Sequence, residues 1–175
     1  MPKTKKLSTQ DKLDIINNSP VLWLKNFIKI VDNSGNLVPF IVNKEQENFI
    51  KNMDKYNIIL KSRQIGFSTL SLGLMLYDAC TMPNTSYLML SYDGESVQNL
   101  FDRLKSMYES MPAKYKLPQK RMNKMELLLQ NGSRISVKVA SNKGLGRSFT
   151  CQIIHLSEFA FWSEEQQEKG LLGLE

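Results

Sequence analysis

Two short stretches hold residues able to do chemistry on a phosphate. The first, N-I-I-L-K-S-R-Q-I-G-F-S-T-L-S, spans Asn57 to Ser71. An apolar run leads into a polar turn, the turn ends in Gly66, and a helix start follows. That is the order of a phosphate-binding loop, whose common form is G-x-x-x-x-G-K-[ST]. Laid on Lys61 to Ser68, the first glycine has become Lys61 and the usual lysine has become Phe67. A triphosphate needs inward N–H groups, a helix amino end and a mobile cation. Gly66 permits close approach of backbone, and Phe67, Ser68 and Thr69 open a helix whose first N–H groups lack intrahelical partners. Phe67 cannot supply the cation. Lys61 can, because a lysine reaches roughly 6 Å and the loop curls back on itself. Arg63 is a second candidate, with a guanidinium shaped for phosphate oxygens. Ser68 stands where a Mg²⁺-binding hydroxyl stands in the common motif, with Thr69 beside it. An ordinary polar β–α turn would contain the same residue types.

The second stretch is C-Q-I-I-H-L-S-E-F-A-F-W, from Cys151 to Trp162. It is apolar up to Leu156 and then shows Ser157 and Glu158. ATPases with an additional central strand end this strand in Asp-Glu, the aspartate orienting Mg²⁺ through water and the glutamate polarising the attacking water. Here Glu158 is in place and Ser157 replaces the aspartate. A hydroxyl can still hydrogen-bond a metal-bound water. The alternative is that Glu158 begins an acidic helix cap, since Glu164, Glu165 and Glu168 follow.

The elements that must hold these stretches read as follows. Asp11 to Asn18 and Pro20 to Ile30 form two short helices, with Ser19 capping the second and Pro20 in its first turn. Val31 to Pro39 is a turn or loose hairpin. Asn43 caps a helix running to about Tyr56, with Phe49, Ile50 and Met53 as its buried stripe. Asn57 to Lys61 is a strand, Phe67 to Cys80 a largely buried helix, and Ser86 to Tyr92 a strand of the parallel type. Ser96 to Met111 is an amphipathic helix. M-E-L-L-L-Q-N-G-S-R-I-S-V-K-V predicts a hairpin about Asn131-Gly132. Ser141 to Phe149 is a Gly-rich loop, Cys151 to Ser157 a strand, and Ser163 starts the last helix. This alternation predicts an α/β fold with a mostly parallel sheet, which binds ligands at the carboxyl ends of its strands.

The chain of 175 residues carries a net charge of +6, unevenly spread. Up to His155 there are 22 basic and 12 acidic residues, whereas from Leu156 onward five glutamates face one lysine. A basic body with an acidic end suits contact with a polyanion through one face. Ala113 to Lys124 holds five cations and no acid. It suits DNA phosphates with Tyr115 as a stacking group, or is solvated loop charge. Cys80 and Cys151 lie far apart in apolar settings, which reads as two free thiols in a reducing compartment. With one histidine and no C-x-x-C, the common zinc sites are excluded. His155 reads as a core histidine. The longest apolar run, Leu70 to Tyr77, is far short of a membrane span, so no membrane partner is expected.

Taken together, K-S-R-Q-I-G-F-S-T and I-I-H-L-S-E-F-A-F-W resemble the N-terminal ATPase domain of the large terminase subunit of tailed bacteriophages. The resemblance covers about Phe40 to Trp162. Members of that family carry deviant phosphate loops with the lysine at the head and an aromatic before the Ser/Thr, as Lys61 and Phe67 stand here. Their second strand often ends in a carboxylate pair followed by aromatics, matched by Glu158, Phe159, Phe161 and Trp162, with Ser157 as the departure. The resemblance implies a P-loop NTPase of RecA-like, additional-strand class, with helices on both faces of the sheet. Residues 1–34 are then a helical appendage and 35–175 an ATPase core incomplete at its carboxyl end.

It further implies ATP and Mg²⁺ as ligands. Lys61, Ser62, Arg63, Gln64, Ile65, Gly66, Phe67, Ser68 and Thr69 would bind ATP, Ser68 and Ser157 would serve the metal, and Glu158 would be catalytic. Gln46 matches a family glutamine that reads adenine, for which an amide is suited; a solvated helix glutamine is the alternative. In G-L-G-R-S-F-T, Arg147 matches an arginine-finger position, in cis or in trans, or is a surface arginine. The implied function is an ATPase motor that moves double-stranded DNA into a procapsid. Its partners would be a portal protein, a small terminase subunit and further copies in a ring, in the host cytoplasm and transiently on the portal. Nuclease activity is not expected of this stretch. A helicase-like DNA-dependent ATPase and a nucleotide- or DNA-binding module with a decayed site are the competing readings.

Overall fold

The computed structural model describes residues 8–60, 65–140 and 150–172. Lys61, Ser62, Arg63, Gln64 and Arg147 lie outside the described residues, as does the whole Gly-rich loop, 141–149.

Helix α1 (Thr9–Asn17) is capped by Ser8 and Asp11 in a reciprocal capping box. Helix α2 (Pro20–Phe27) starts as the sequence predicts, with Ser19 accepting from the Leu22 N–H and Pro20 in the first turn. It ends earlier than Ile30, because Lys29–Val31 (β1) turns extended and pairs antiparallel with Leu37–Pro39 (β2). The expected division between an appendage at 1–34 and a core at 35–175 runs through this hairpin. Trp23, Leu24, Phe27 and Ile28 are moreover buried in the main core. Helix α3 (Lys44–Asn52) has the predicted Asn43 cap; Phe49 and Ile50 are partly buried against the core, but Met53 lies beyond the helix and is exposed, and the one fully buried side chain of α3 is Gln46.

The segment predicted as the strand before the phosphate loop is not one. Over its described part, Asn57 to Leu60 form no strand, and Ile58 and Leu60 are both 101 % exposed. An apolar run becomes a strand only when an edge receives its N–H and C=O groups. No described strand pairs with this one.

Helix α4 (Phe67–Thr81), strand β3 (Ser86–Ser91) and helix α5 (Gly94–Ser110) follow as expected, α5 being capped by Asp93. A short strand, β4 (Gln119–Met122), appears within the basic stretch that reads as a loop. It is an edge strand, paired antiparallel with β5 (Glu126–Leu129) and disturbed by a register shift at Gln119/Arg121. Its charges disguise it, as edge strands often carry lysine and arginine. Strand β5 turns through Asn131-Gly132 into β6 (Arg134–Val139), and Gly132 takes the left-handed φ of 86° that the turn needs. Strand β7 (Ile153–Leu156), a 3-10 turn (Phe159–Phe161) and helix α6 (Glu164–Leu172) complete the described chain.

The sheet order is β4-β5-β6-β3-β7, with β3 parallel to β6 and β7 and the β4-β5-β6 side antiparallel. The sheet is therefore mixed and not mostly parallel. The hairpin explains this, since a tight Asn-Gly turn can join only antiparallel strands. Both α4 and α5 pack with Tyr87, Met89, Ile135 and Val137 in one core. The opposite face is covered by a smaller cluster in which Trp162 packs on Leu88, Leu90 and Ala140. Among the described residues no helix is long and apolar enough to cross a membrane.

One half-buried acid has a consequence for pH. Asp78, on α4, has no hydrogen-bond or ion-pair partner for its carboxylate among the described residues, and desolvation pushes its pKa from 3.8 up to about 6. The folded chain then holds the proton more tightly than the unfolded one, so stability falls as pH rises from about 4 to 6 and the penalty is complete at neutral pH. Asp78→Asn is expected to raise the melting temperature at pH 7.5, through a stability gain on the order of 1 kcal/mol after allowing for partial solvent access. The gain should vanish below about pH 4; melts at the two pH values check it.

Candidate functional site

The parallel strands β3, β6 and β7 end on one side of the sheet, and α4 begins there. Gly66 precedes it with φ 76° and ψ 22°, a left-handed conformation that a side chain disfavours. Helix α4 has no side-chain cap, and among the described residues the N–H groups of Phe67, Ser68 and Thr69 have no acceptor. They are the unpaired donors, backed by the helix dipole, that an anion requires. Phe67 turns inward instead of toward solvent. It is buried and meets Phe49 of α3 edge-on, with ring centroids 5.5 Å apart. An aromatic here anchors the start of the helix to α3, a role no lysine could fill.

Helix α4 and strand β7 are joined by two hydroxyl rungs. The Ser68 and Ser157 Oγ atoms lie 3.4 Å apart across 89 positions of sequence. One helical turn on, Ser71 Oγ is 3.1 Å from His155 Nδ1. The spacing is physical: positions 68 and 71 share a helix face, and 155 and 157 share a strand face. The two stretches singled out in the sequence thus converge. Ser157 is 4 % exposed, its N–H donates to the Leu90 carbonyl, and its carbonyl accepts from Trp162 Nε1 at 3.0 Å. Ser91 follows Leu90, the register partner of Leu156, and so stands beside Ser157 in the sheet. Its Oγ is buried without a hydrogen-bond partner among the described residues. The sequence carries no signal for Ser91 beyond its place at a strand end, nor for Ser71 beyond its spacing from Ser68.

Glu158 follows immediately, exposed, with φ 55° and ψ 39°. A non-glycine residue in this region carries strain of about 1–3 kcal/mol, which persists when surroundings impose it. Leu90 and Trp162 supply that constraint by fixing Ser157, while the Phe161 N–H donates to the Glu158 carbonyl. The glutamate precedes the 3-10 turn as its N-cap residue, but its side chain makes no capping bond there. The last helix has its own cap, with Ser163 Oγ accepting from the Gln166 N–H and Gln166 Oε1 accepting from the Ser163 N–H.

Gln46 is placed at the loop, 4 % exposed. Its Nε2 donates to the carbonyls of Ile65 and Gly66 at 3.1 and 3.2 Å, and its Oε1 accepts from the Asn43 N–H. Both ends of the amide are engaged, and its nitrogen could read adenine only if those bonds were given up. The basic stretch is dispersed. Lys114 and Lys116 lie over the rings of Tyr115 and Tyr108, and Arg121 pairs with Glu126. Tyr115 packs on Phe27. Both cysteines are free and partly buried, and burial pushes the Cys80 thiol up to about 12. Among the described residues no cluster of His, Cys, Asp and Glu could hold a metal by itself.

Comparison with solved structures finds the fold. The crystal structure of the HK97 bacteriophage large terminase superposes with a TM-score of 0.57 at 16 % sequence identity. The match covers 81 % of this chain and 37 % of that one, so the chain spans little more than a third of the terminase it resembles. No family model and no curated protein matches the sequence.

Glycine at position 66 is open to a direct test. A Cβ there would lie 3.1 Å from Gln46 Nε2 and would have to adopt positive φ. Gly66→Ala is expected to cost about 1–2 kcal/mol of stability in a urea melt and to weaken triphosphate binding by roughly tenfold.

Proposed function

We propose that this chain is the ATPase part of a DNA-packaging terminase, binding ATP between the amino end of α4 and the carboxyl end of β7. The observation that carries the reading is the 3.4 Å approach of Ser68 to Ser157, beside the strained Glu158. It brings together, at the carboxyl end of β7, the two stretches that a phosphate-binding and hydrolysing site would need. The terminase fold supports the same class of function.

The β- and γ-phosphates would lie against the N–H groups of Phe67, Ser68 and Thr69, which have no acceptor among the described residues. Lys61 and Arg63 would neutralise their charge, and Ser62, Gln64 and Ile65 would belong to the same binding loop. The donor set suits Mg²⁺, a hard cation that keeps several waters and takes few protein ligands beside phosphate oxygens. Ser68 and Ser157 supply hydroxyls, Ser91 a buried one without a partner among the described residues, and Glu158 a carboxylate. When bound, the metal neutralises charge on the phosphates. Glu158 polarises a water for attack on the γ-phosphorus, and ADP leaves as the anhydride bond breaks. Arg147 serves as an arginine finger, within the subunit or toward a neighbour.

Hydrolysis would drive double-stranded DNA into a procapsid, in the host cytoplasm. Portal protein, small terminase subunit and further copies in a ring would be the partners. A second reading, a module that binds nucleotide without turning it over, draws on Ser157 in place of a carboxylate. Titration calorimetry with Mg²⁺ and ATP on the chain and on Lys61→Ala tests the site. The chain is expected to bind, and loss of the cation should weaken binding more than about tenfold. Equal binding by both removes Lys61 from the site.

A further inference from the structure

We infer that Gln46 is a positioning residue for the phosphate loop, acting on its peptide planes whichever base the nucleotide carries. The inference rests on the ATP-binding reading of the loop. Gln46 is the one buried side chain of α3, and its amide nitrogen faces two successive carbonyls, those of Ile65 and Gly66. Asn43 Nδ2 donates to the same Ile65 carbonyl at 3.4 Å. The chain has no cis peptide among the described residues. In a trans unit the C=O and the following N–H point in opposite directions. Holding the Ile65 and Gly66 carbonyls toward α3 therefore turns the Gly66 and Phe67 N–H groups away from it. These are donors an anion at the start of α4 would use. The Gly66 carbonyl is thereby shared between Gln46 and the Leu70 N–H.

The amide is itself held rigid. Asn43 and Gln46 form a capping box in which each side chain accepts from the other's backbone N–H, at 2.8 and 3.0 Å. With Oε1 committed to the Asn43 N–H, the amide cannot flip, and only the donor end can face the loop. Phe49 fixes the same helix one turn later, against Phe67. Helix α3 thus grips the loop on both sides of Gly66, by amide to the carbonyls and by ring to ring. Adenine, by contrast, would find both ends of this amide already bonded.

The test compares three ligands, each with Mg²⁺: ATP, GTP and inorganic tripolyphosphate. The variants are Gln46→Glu, which keeps the shape and turns an acceptor on the carbonyls, and Gln46→Met, which removes the donors without adding charge. Thermal melts choose a temperature at which the variants are folded. The inference predicts that binding of all three ligands weakens by a common factor of about tenfold or more, with the ratio of ATP to GTP affinity unchanged. Loss confined to ATP, with GTP and tripolyphosphate untouched, would overturn it in favour of a base reader. Unaltered binding of all three by a variant of lowered melting temperature would also overturn it, leaving Gln46 a capping residue only. If the unaltered chain binds none of the three, the nucleotide reading falls and this inference with it.

Discussion

Glu158→Gln is expected to lower the rate of ATP hydrolysis by at least about a hundredfold, the usual worth of a positioned base. Nucleotide affinity should stay within about threefold, because the amide keeps the size and loses only the basicity. Glu158→Gly carries a sharper expectation, for it should abolish turnover without lowering the melting temperature. Glutamate at this position occupies φ 55° and ψ 39° while exposed to solvent, so its side chain contributes strain and little packing. Glycine relieves about 1–3 kcal/mol of that strain and costs about 0.5–1 kcal/mol in unfolded-chain entropy. The balance is neutral to favourable. A residue that destabilises its own fold and yet supplies a carboxylate at a strand end fits the trade of stability for activity found at working sites. Steady-state phosphate release and thermal melts on the two variants check it. A Glu158→Gly chain that melts well below the parent would show that the glutamate is held there by contacts.

The second large effect lies in the packing of α2 on α4. Leu24 is wholly buried, and Gly73 faces it from the middle of α4. A Cβ at 73 would come within 2.8 Å of Leu24 Cδ2 and 3.0 Å of Phe40 Cε1. In an exposed helix Gly→Ala stabilises by about 1 kcal/mol; here overpacking should reverse the sign, at about 1–3 kcal/mol. Leu24→Ala should cost about 2–5 kcal/mol through lost burial and the cavity left behind. The double variant is expected to be more stable than the sum of the two, since the new methyl enters the space that the leucine vacates. A coupling of about 1 kcal/mol or more in a denaturant-melt cycle is the expected reading. Strict additivity would mean that α2 does not pack against Gly73 in solution. The cycle also bears on the amino-terminal helices, whose Trp23, Leu24 and Phe27 lie in the main core.

Much of the fold is written locally in the chain. Ser19, Asn43 and Asn131-Gly132 announce two helix starts and a turn, and each does so through bonds within four residues of itself. What is not local is lost. Asn57 to Leu60 have a strand's composition, but composition does not say whether an edge is available. Strand β4 hides under Lys120 and Arg121 because an edge strand needs few apolar residues. For the site, the residue types at 66 to 69 and at 157 and 158 were legible from spacing. Their approach through Ser68 and Ser157, the second rung from Ser71 to His155 and the orphaned Ser91 hydroxyl depend on strand order. The amide of Gln46 illustrates the same limit, for nothing in its neighbours reveals that carbonyls nearly twenty residues away occupy it.

The most direct measurement is a crystal structure of the chain grown with Mg²⁺ and a non-hydrolysable ATP analogue. The triphosphate is expected on the N–H groups of Phe67 to Thr69, with Mg²⁺ at about 2.1 Å from Ser68 Oγ. Glu158 is expected to face the γ-phosphate, within reach of one water. A nucleotide bound away from the amino end of α4, or a metal that leaves Ser68 and Ser157 in contact with each other alone, would contradict this placement.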